Sequence, residues 1–598
     1  MLKKMNNKGY MLIEIILAFA LAFGIMYFMM DMVVNLKNKN DDLLVKTLIY
    51  SDQAIVSNKI MEHLVEDTDG GTTNNFSCDF ISVDGQVVKY NDDVINIIDD
   101  YATVSYDPET NCSIDELEGN IHITIPVYVK QQPDVDYDIV ITYNYNVKVS
   151  FAVFSESSGT LKFYNRGNMP EVGGTYDNEG VTKVYTGFES SVYTWKNLPP
   201  WYNERDKVVK IEFVDSFKPV STAYWFNNFI NVDFIDVSKL DTSKLTKIND
   251  MFSYTGTNVS NFQIVGLEDW NVSNVKDMNA MFKYTAKNAD TFNIGKLTKW
   301  DTTNVINMAE MFSGLGMNAS YFDIGNLDNW DVSNVQYMDD MFSQTGRYVQ
   351  EYFNIGKLNN WNVLKVKDMS GMFDNAGEQS KFFDIGNLDN WNVSKVTDMS
   401  RMFSGAGENA TEWNIGDLSN WDVSNVLNMS FMFNTSASNF KSFDIGNLDN
   451  WDVSKVTDMS YMFTSAGKNA DYFNIGKLNK WNVSNVKNMS GMFLNAGGGK
   501  DVLNFDIGNL DNWDVSNVTN MELMFANAGY RAKSFNIGDI SNWDTSMVLN
   551  MNQMFQNTGK NASDWSLNLN GWDVSKVVDY KEFNLNAESK VIAPTWVN

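Results

Sequence analysis

Histidine and cysteine are nearly missing from this chain: His63, His122, Cys78 and Cys112 are the whole supply in 598 residues. No HExxH helix, phosphate-binding glycine loop or nucleophile elbow occurs either. His63 falls on a helical stretch and His122 on an alternating one, and neither has a partner constellation. The chain is therefore not expected to be an enzyme or to need a cofactor or metal. Positive charge is short as well. Lys and Arg number 46 against 75 Asp and Glu, a net charge of −29 and a pI near 4.4. That balance argues against nucleic acid or an anionic bilayer surface as a partner. Cys78 and Cys112 could form one disulfide in an oxidising exterior or stay as two thiols.

What is abundant is repetition. Trp270, Trp300, Trp330, Trp361, Trp391, Trp421, Trp451, Trp481, Trp513, Trp543 and Trp572 recur about every thirty residues. Each of the first ten is followed, eleven positions later, by the Met of a Met-Phe pair, from Met281-Phe282 to Met554-Phe555. A fixed period of this size marks a solenoid whose units stack on their neighbours. Such a surface binds or bridges more readily than it catalyses. From Phe to the next Trp the spacing runs from 17 to 20 residues, with extra residues near Gly346 and Gly497-Gly498-Gly499. Insertions settle in loops, so the Trp-to-Phe segment reads as a packed frame and Asn495-Ala496-Gly497 as a surface turn.

Within one unit, Trp451, Val453, Val456, Met459, Met462, Phe463, Phe473, Ile475 and Leu478 are apolar and nearly everything between them is polar. Phe473, Ile475 and Leu478 suggest a short strand, and the spacing of Met459, Met462 and Phe463 predicts a short helical turn. Twelve layers at ~4.8 Å would make a rod of roughly 60 Å. Paired Met could hold copper(I), but the Phe after each pair and the matched Val positions point to flexible Met filling a core.

The strings DNWDVSNVTNMELMF (Asp511 to Phe525) and DNWDVSKVTDMSYMF (Asp449 to Phe463) resemble the BspA-like leucine-rich repeat of bacterial surface proteins. The segment from Leu198-Pro199-Pro200-Trp201-Tyr202 through Pro219 to Tyr224-Trp225-Phe226 is similar to the N-terminal cap of such arrays. A degenerate first unit has Leu240 in place of Trp, and the last, from Trp572, has Phe583 in place of Met. The resemblance implies a right-handed leucine-rich-repeat-like solenoid on an exported protein with adhesion or host-contact duties. Its ligand would be an unidentified protein or glycan.

The residue opening each Ile-Gly step alternates: Asn293, Asp323, Asn354, Asp384, Asn414, Asp444, Asn474, Asp506, Asn536. Stacked carboxylates would repel, and interleaved Asn predicts a hydrogen-bonded amide ladder. Duplication of a sixty-residue double unit explains the pattern equally well. Calcium binding by Asp323, Asp328 and Asp331 is a weaker third reading, since no known calcium-loop spacing appears.

At the N-terminus Lys3, Lys4 and Lys8 precede Tyr10-Met11-Leu12-Ile13-Glu14 and an apolar run from Ile15 to Met30. Residues 10–34 are long enough to span a bilayer, with the lysines cytoplasmic. A cleavable secretory signal fits poorly, because no small-residue site follows and Glu14 sits at the start. Gly9, Tyr10 and Glu14 resemble the class III signal of type IV prepilins and pseudopilins. The resemblance implies cleavage after Gly9 by a prepilin peptidase, methylation of the Tyr10 amine, and pairing of Glu14 with another pilin-like subunit. An uncleaved signal anchor is the alternative.

Val45, Ile49, Val56 and Ile60 keep helical phase and Gly70-Gly71 offers a stop, so one helix is expected from Tyr10 to about Glu66. Alternating Ile121 to Val129 and Ile139 to Phe151, joined by Gln131-Gln132-Pro133-Asp134, read as a β-hairpin. The expected class is α+β and multi-domain. Its parts are a leader (1–9), a transmembrane and stalk helix (10–66), a β-rich pilin-like module (67–155), a cap (156–233), about twelve repeats (234–583) and a tail (584–598). The expected function is a minor pilin or pseudopilin presenting the array at the cell surface. The alternative is an uncleaved membrane-anchored surface protein unrelated to filaments.

Overall fold

In the computed structural model the described residues are 40–67, 76–98, 100–115, 120–130, 137–144, 149–166, 169–499 and 502–596. The chain divides into two compact units, residues 1–149 with 166–169, and residues 150–165 with 170–598.

In the first unit a helix, Asn40–Asp67, buries Ile49, Val56, Ile60 and Leu64. Four short strands follow at Ile81–Asp84, Val87–Tyr90, Asp93–Ile97 and Ala102–Val104, the first three pairing as an antiparallel sheet. A second sheet joins Cys112–Asp115, Asn120–Ile125 and Ile139–Asn144. Gln53 Nε2 donates to the Tyr137 and Asp138 carbonyls and Lys59 Nζ to that of Ile95, tying the helix to the strands. The expected hairpin forms only in part. Ile121, Ile123 and Ile125 pair with Tyr143, Ile141 and Ile139. Pro126 cannot donate to that ladder, so Val127–Val129 leaves it to pair with Ala102–Val104. Phe151 lies on Val149–Ser155, a strand of the other sheet system.

The expected fold class, α+β with a single long pilin-like helix over 10–66, is corrected. Among the described residues there are two α-helices, Asn40–Asp67 of 28 residues and Pro108–Asn111 of four. The remaining regular structure is strand and turn, with a few short 3-10 turns. The sequence from Asn35 to Asp42 holds Leu36 as its one apolar residue, so the apolar pattern that carried the single-helix expectation is interrupted there. Residues 1–39 lie outside the described residues.

The second unit starts with a mixed sheet. Val149–Ser155 pairs with Lys183–Thr186 and neighbours Thr160–Arg166. From Thr160–Arg166 onward every neighbour is parallel: Lys210–Phe213, Phe234–Asp236, Asn261–Val265, Thr291–Asn293. Thereafter the coils contribute one three-residue strand each, as in Tyr472–Asn474, until the two-residue strands Leu567–Asn568 and Val591–Ile592 close the series. A second face is held by single-residue parallel bridges, unbroken from Ser221 through Lys247, Asp277 and eight more coils to Asn550 and Asp579. Stacking lets polar three-residue strands persist, because each backbone group finds a partner one coil away.

The Met-x-x-Met-Phe stretch is not the helical turn that its spacing predicts. Met459, Tyr461, Phe463 and Ser465 donate to carbonyls of the next coil, at 2.7–3.0 Å. Met462, Thr464 and Ala466 instead close turns on the carbonyl three residues back, at 3.1–3.3 Å. The pattern is a chain of nested turns, with Tyr461 (φ 56°) and Ser465 (φ 54°) left-handed. A helix would direct all these N–H groups along its own axis and leave the neighbouring coils unbonded.

Both ends are aromatic. Phe163, Trp201, Phe213 and Trp225 fill the first layers, with Trp201 Nε1 donating to the Trp225 carbonyl at 2.7 Å. At the other end Trp596 stacks on Tyr580 at 4.3 Å and meets Phe583 edge-on.

Candidate binding surface of the repeat array

The tryptophan series lines the interior and faces no ligand. Trp270 through Trp572 are all buried. Pairs such as Trp300–Trp330, Trp421–Trp451 and Trp513–Trp543 stack with centroids 5.9–6.4 Å apart and planes within 4°. Each indole from Trp300 onward donates Nε1–H to a carbonyl of the preceding coil: Trp391 to Leu358 and Trp421 to Leu388, both at 2.9 Å. Trp270 opens the stack, and its Nε1 has no partner. The Met pairs are core, with Met399 and Met402 fully buried. The Asn-Ala-Gly stretch is not a surface turn, which corrects that expectation. Ala376, Ala406 and Ala496 are fully buried, and a Cβ on Gly407 (φ +54°) would lie 2.5 Å from the Phe383 Cβ. The surface begins one residue later, at Glu408 and Asn409.

The outer strand face carries the Asn/Asp alternation, and it forms separate rungs where a continuous ladder was expected. Asn354, Asn414, Asn474 and Asn536 donate Nδ2–H to Oδ1 of Asp323, Asp384, Asp444 and Asp506, at 2.8–2.9 Å. No rung forms from an Asp to the Asn before it, because a carboxylate only accepts. The Asn Oδ1 is turned to its own Gly, as in Gly356 N to Asn354 at 2.9 Å. Lys296, Lys357 and Lys477 pair with Asp323, Asp384 and Asp506. Burial works to raise these three carboxyls, but the lysine, the amide and the glycine N–H outweigh it and hold them below the usual Asp range. Most of the carboxylate oxygens considered for calcium have partners within the fold: Asp323 as above, Asp328 with Asn360 N and Nδ2, and Asp331 Oδ1 with Ser333 N. No group of three or more potential metal ligands occurs among the described residues.

Aromatic side chains break this polar face at a few places. Tyr321, Tyr352 and Phe382 occupy one column in three successive coils, with exposures of 53%, 40% and 41%, and Tyr321 stacks on Tyr352 at 4.8 Å. Away from the strand face, in the nested-turn segment, Phe431 and Tyr461 form a second stacked pair, also at 4.8 Å. In another column Asn409, Asn439 and Asn469 pass their amides backward, Asn409 to Gln379 at 2.7 Å and Asn469 to Asn439 at 2.7 Å. A small cavity lies where that column is interrupted, between Lys468 and Arg531. Sequence reasoning noticed the Gly497-Gly498-Gly499 insertion there and missed the two cations. The insertion was the signal, since a glycine run empties the side-chain layer between its neighbours.

Gly9, Tyr10 and Glu14, with residues 10–34, lie outside the described residues. No described helix is long and apolar enough to cross a membrane. Cys78 and Cys112 are bonded to each other, joining the segment before Ile81–Asp84 to the start of Cys112–Asp115. His63 stacks on Tyr90 at 4.6 Å, and His122 Nδ1 lies 3.1 Å from Thr142 Oγ1.

The family model described as "Mycoplasma protein of unknown function, DUF285" matches five overlapping segments, residues 220–352, 283–412, 347–471, 407–507 and 468–593. The chain belongs to this family. The matches run through the stacked coils as far as residue 593, and a repeat-containing chain of this family is consistent with a surface protein. No curated protein and no solved structure matches the chain.

Proposed function

We propose that this chain is an exported cell-surface protein whose repeat array binds a partner, and that it is carried as a minor pilin or pseudopilin. The array supports the binding role: stacked coils present one polar face many times over, with a few local departures. It acts by binding and not by catalysis. Its partners are an unidentified protein or glycan at the array and, at the N-terminus, the membrane through residues 10–34, prepilin peptidase and other pilin-like subunits. The N-terminal part of the reading rests on the Gly9-Tyr10 junction and on Glu14 at the fifth position of the expected mature chain.

Mass spectrometry of the mature N-terminus tests the carriage. A methylated Tyr10 is expected, replacing Gly9 by a bulky residue should block cleavage, and Glu14→Ala should impair filament incorporation while leaving membrane insertion intact. An intact Met1 would make the chain an uncleaved anchored surface protein. Protease treatment of intact cells should remove the array; an array cleaved only after lysis would defeat the surface reading.

A further inference from the structure

Regular units place a side chain in every layer of the column that contains Lys468 and of the next, which contains Asn469. The unit after them has Gly498 and Gly499 at these positions, and the following unit has Tyr530 and Arg531. One layer of side chains is therefore missing. The gap is a cavity of about 210 Å³, walled by Lys468 and Asn469 on one side and Tyr530 and Arg531 on the other, with Asn495 and Asn527 lining it. Two strand spacings, ~10 Å, separate the walls.

The lining runs against the acidic composition of the chain. In a chain of net charge −29, this cavity holds two cations and no carboxylate among its described lining residues. Lys560 adds a third positive charge, its Nζ 5.5 Å from the centre of the Tyr530 ring. Lys468 acts on Glu408, two layers back in the same column, drawing its carboxyl down against the burial that raises it. The amide chain of Asn409, Asn439 and Asn469 ends here. Asn469 donates backward to Asn439, and Gly499 offers no amide to continue the chain, so no side-chain amide of the next coil takes up the Asn469 Oδ1.

Resting on the surface-binding reading above, we propose that this gap binds a carboxylated sugar of the uronic-acid class. The Arg531 guanidinium presents a planar fork that matches a carboxylate. Lys468 donates to ring hydroxyls and Asn469 accepts from them, while Asn495 and Asn527 offer both roles. A bare inorganic anion would leave most of the cavity and its amides unused.

Titration of the full chain with glucuronic acid, glucose and inorganic sulfate, followed by calorimetry, tests this. Glucuronic acid should bind at least about tenfold more tightly than glucose, and Arg531→Gln or Lys468→Gln should each weaken it about tenfold or more. Both side chains are exposed, so neither change threatens the fold. Gly498→Gln refills the missing layer, and a Cβ there meets nothing closer than 3.4 Å, so it should abolish binding with an unchanged melting temperature. Lys441→Gln, outside the gap, should change nothing. Equal affinity for glucose, sulfate binding as tight as glucuronic acid, no binding at all, or full binding by the Arg531 variant would each overturn the assignment. Protease exposure on intact cells is read independently, so such a failure would leave the surface reading in place.

Discussion

Asp374 shows how one side chain is tuned by its layer. Burial raises its carboxyl above the ordinary Asp value and Asp340 adds to this, against Ser404, Arg401 and Arg347. A carboxyl whose folded pKa exceeds its unfolded one contributes stability at low pH and loses it as pH rises through the folded value. Two units later the same position is Asn434. Asp374→Asn should therefore raise the melting temperature at pH 7 and leave it unchanged near pH 3, below the ordinary Asp value of about 3.9. Equal gains at both pH values would mean that charge is not the cause. Asp323, Asp384 and Asp506 carry the opposite sign. Their carboxyls are held low, so their contribution is present above the ordinary Asp range and is lost as pH falls through the lowered values.

Within a coil, the Trp column and the Met-Phe frame were legible because burial and fixed spacing go together. Trp391, Met402 and Phe403 are all in the core. The nested turns were not legible. Residues such as Arg401 (φ 57°), Phe431 (φ 59°) and Leu523 (φ 57°) have no intrinsic preference for the left-handed region. Only the neighbouring coil, by accepting alternate N–H groups, selects that conformation. The same blindness made Ala496 and Gly497 look like a surface turn, since small residues mark both turns and close packing. The Lys468–Arg531 gap was equally hidden, because those two residues meet only once the coils are stacked. Trp391→Phe keeps a stacked ring but leaves the Leu358 carbonyl without its indole donor, at a cost of about 1–3 kcal/mol. Trp391→Ala also loses the ring and should cost about 3–5 kcal/mol. Hydrogen exchange should show the coils on either side of Trp391 opening first. Uniform loosening along the array would contradict a fold held by neighbour contacts.

Across the array, the rungs divide the coils into couples, an Asp coil followed by an Asn coil. Removing residues 391–420 would set Asp384 directly beside Asp444, whereas removing 391–450 would set it beside Asn474 and preserve the pairing. The shorter deletion should therefore lower the denaturant midpoint at pH 7 more than the longer one, despite leaving more coils in place. If the midpoint instead tracked coil number alone, the rungs would be decoration. Near-identical units also invite unequal recombination in the gene that encodes them. Copies that stay in register with the couples would survive in steps of sixty residues, each changing the molecule's reach by about two strand spacings, ~10 Å. Length would then be inherited in discrete notches, adjustable between lineages without redesigning a single contact.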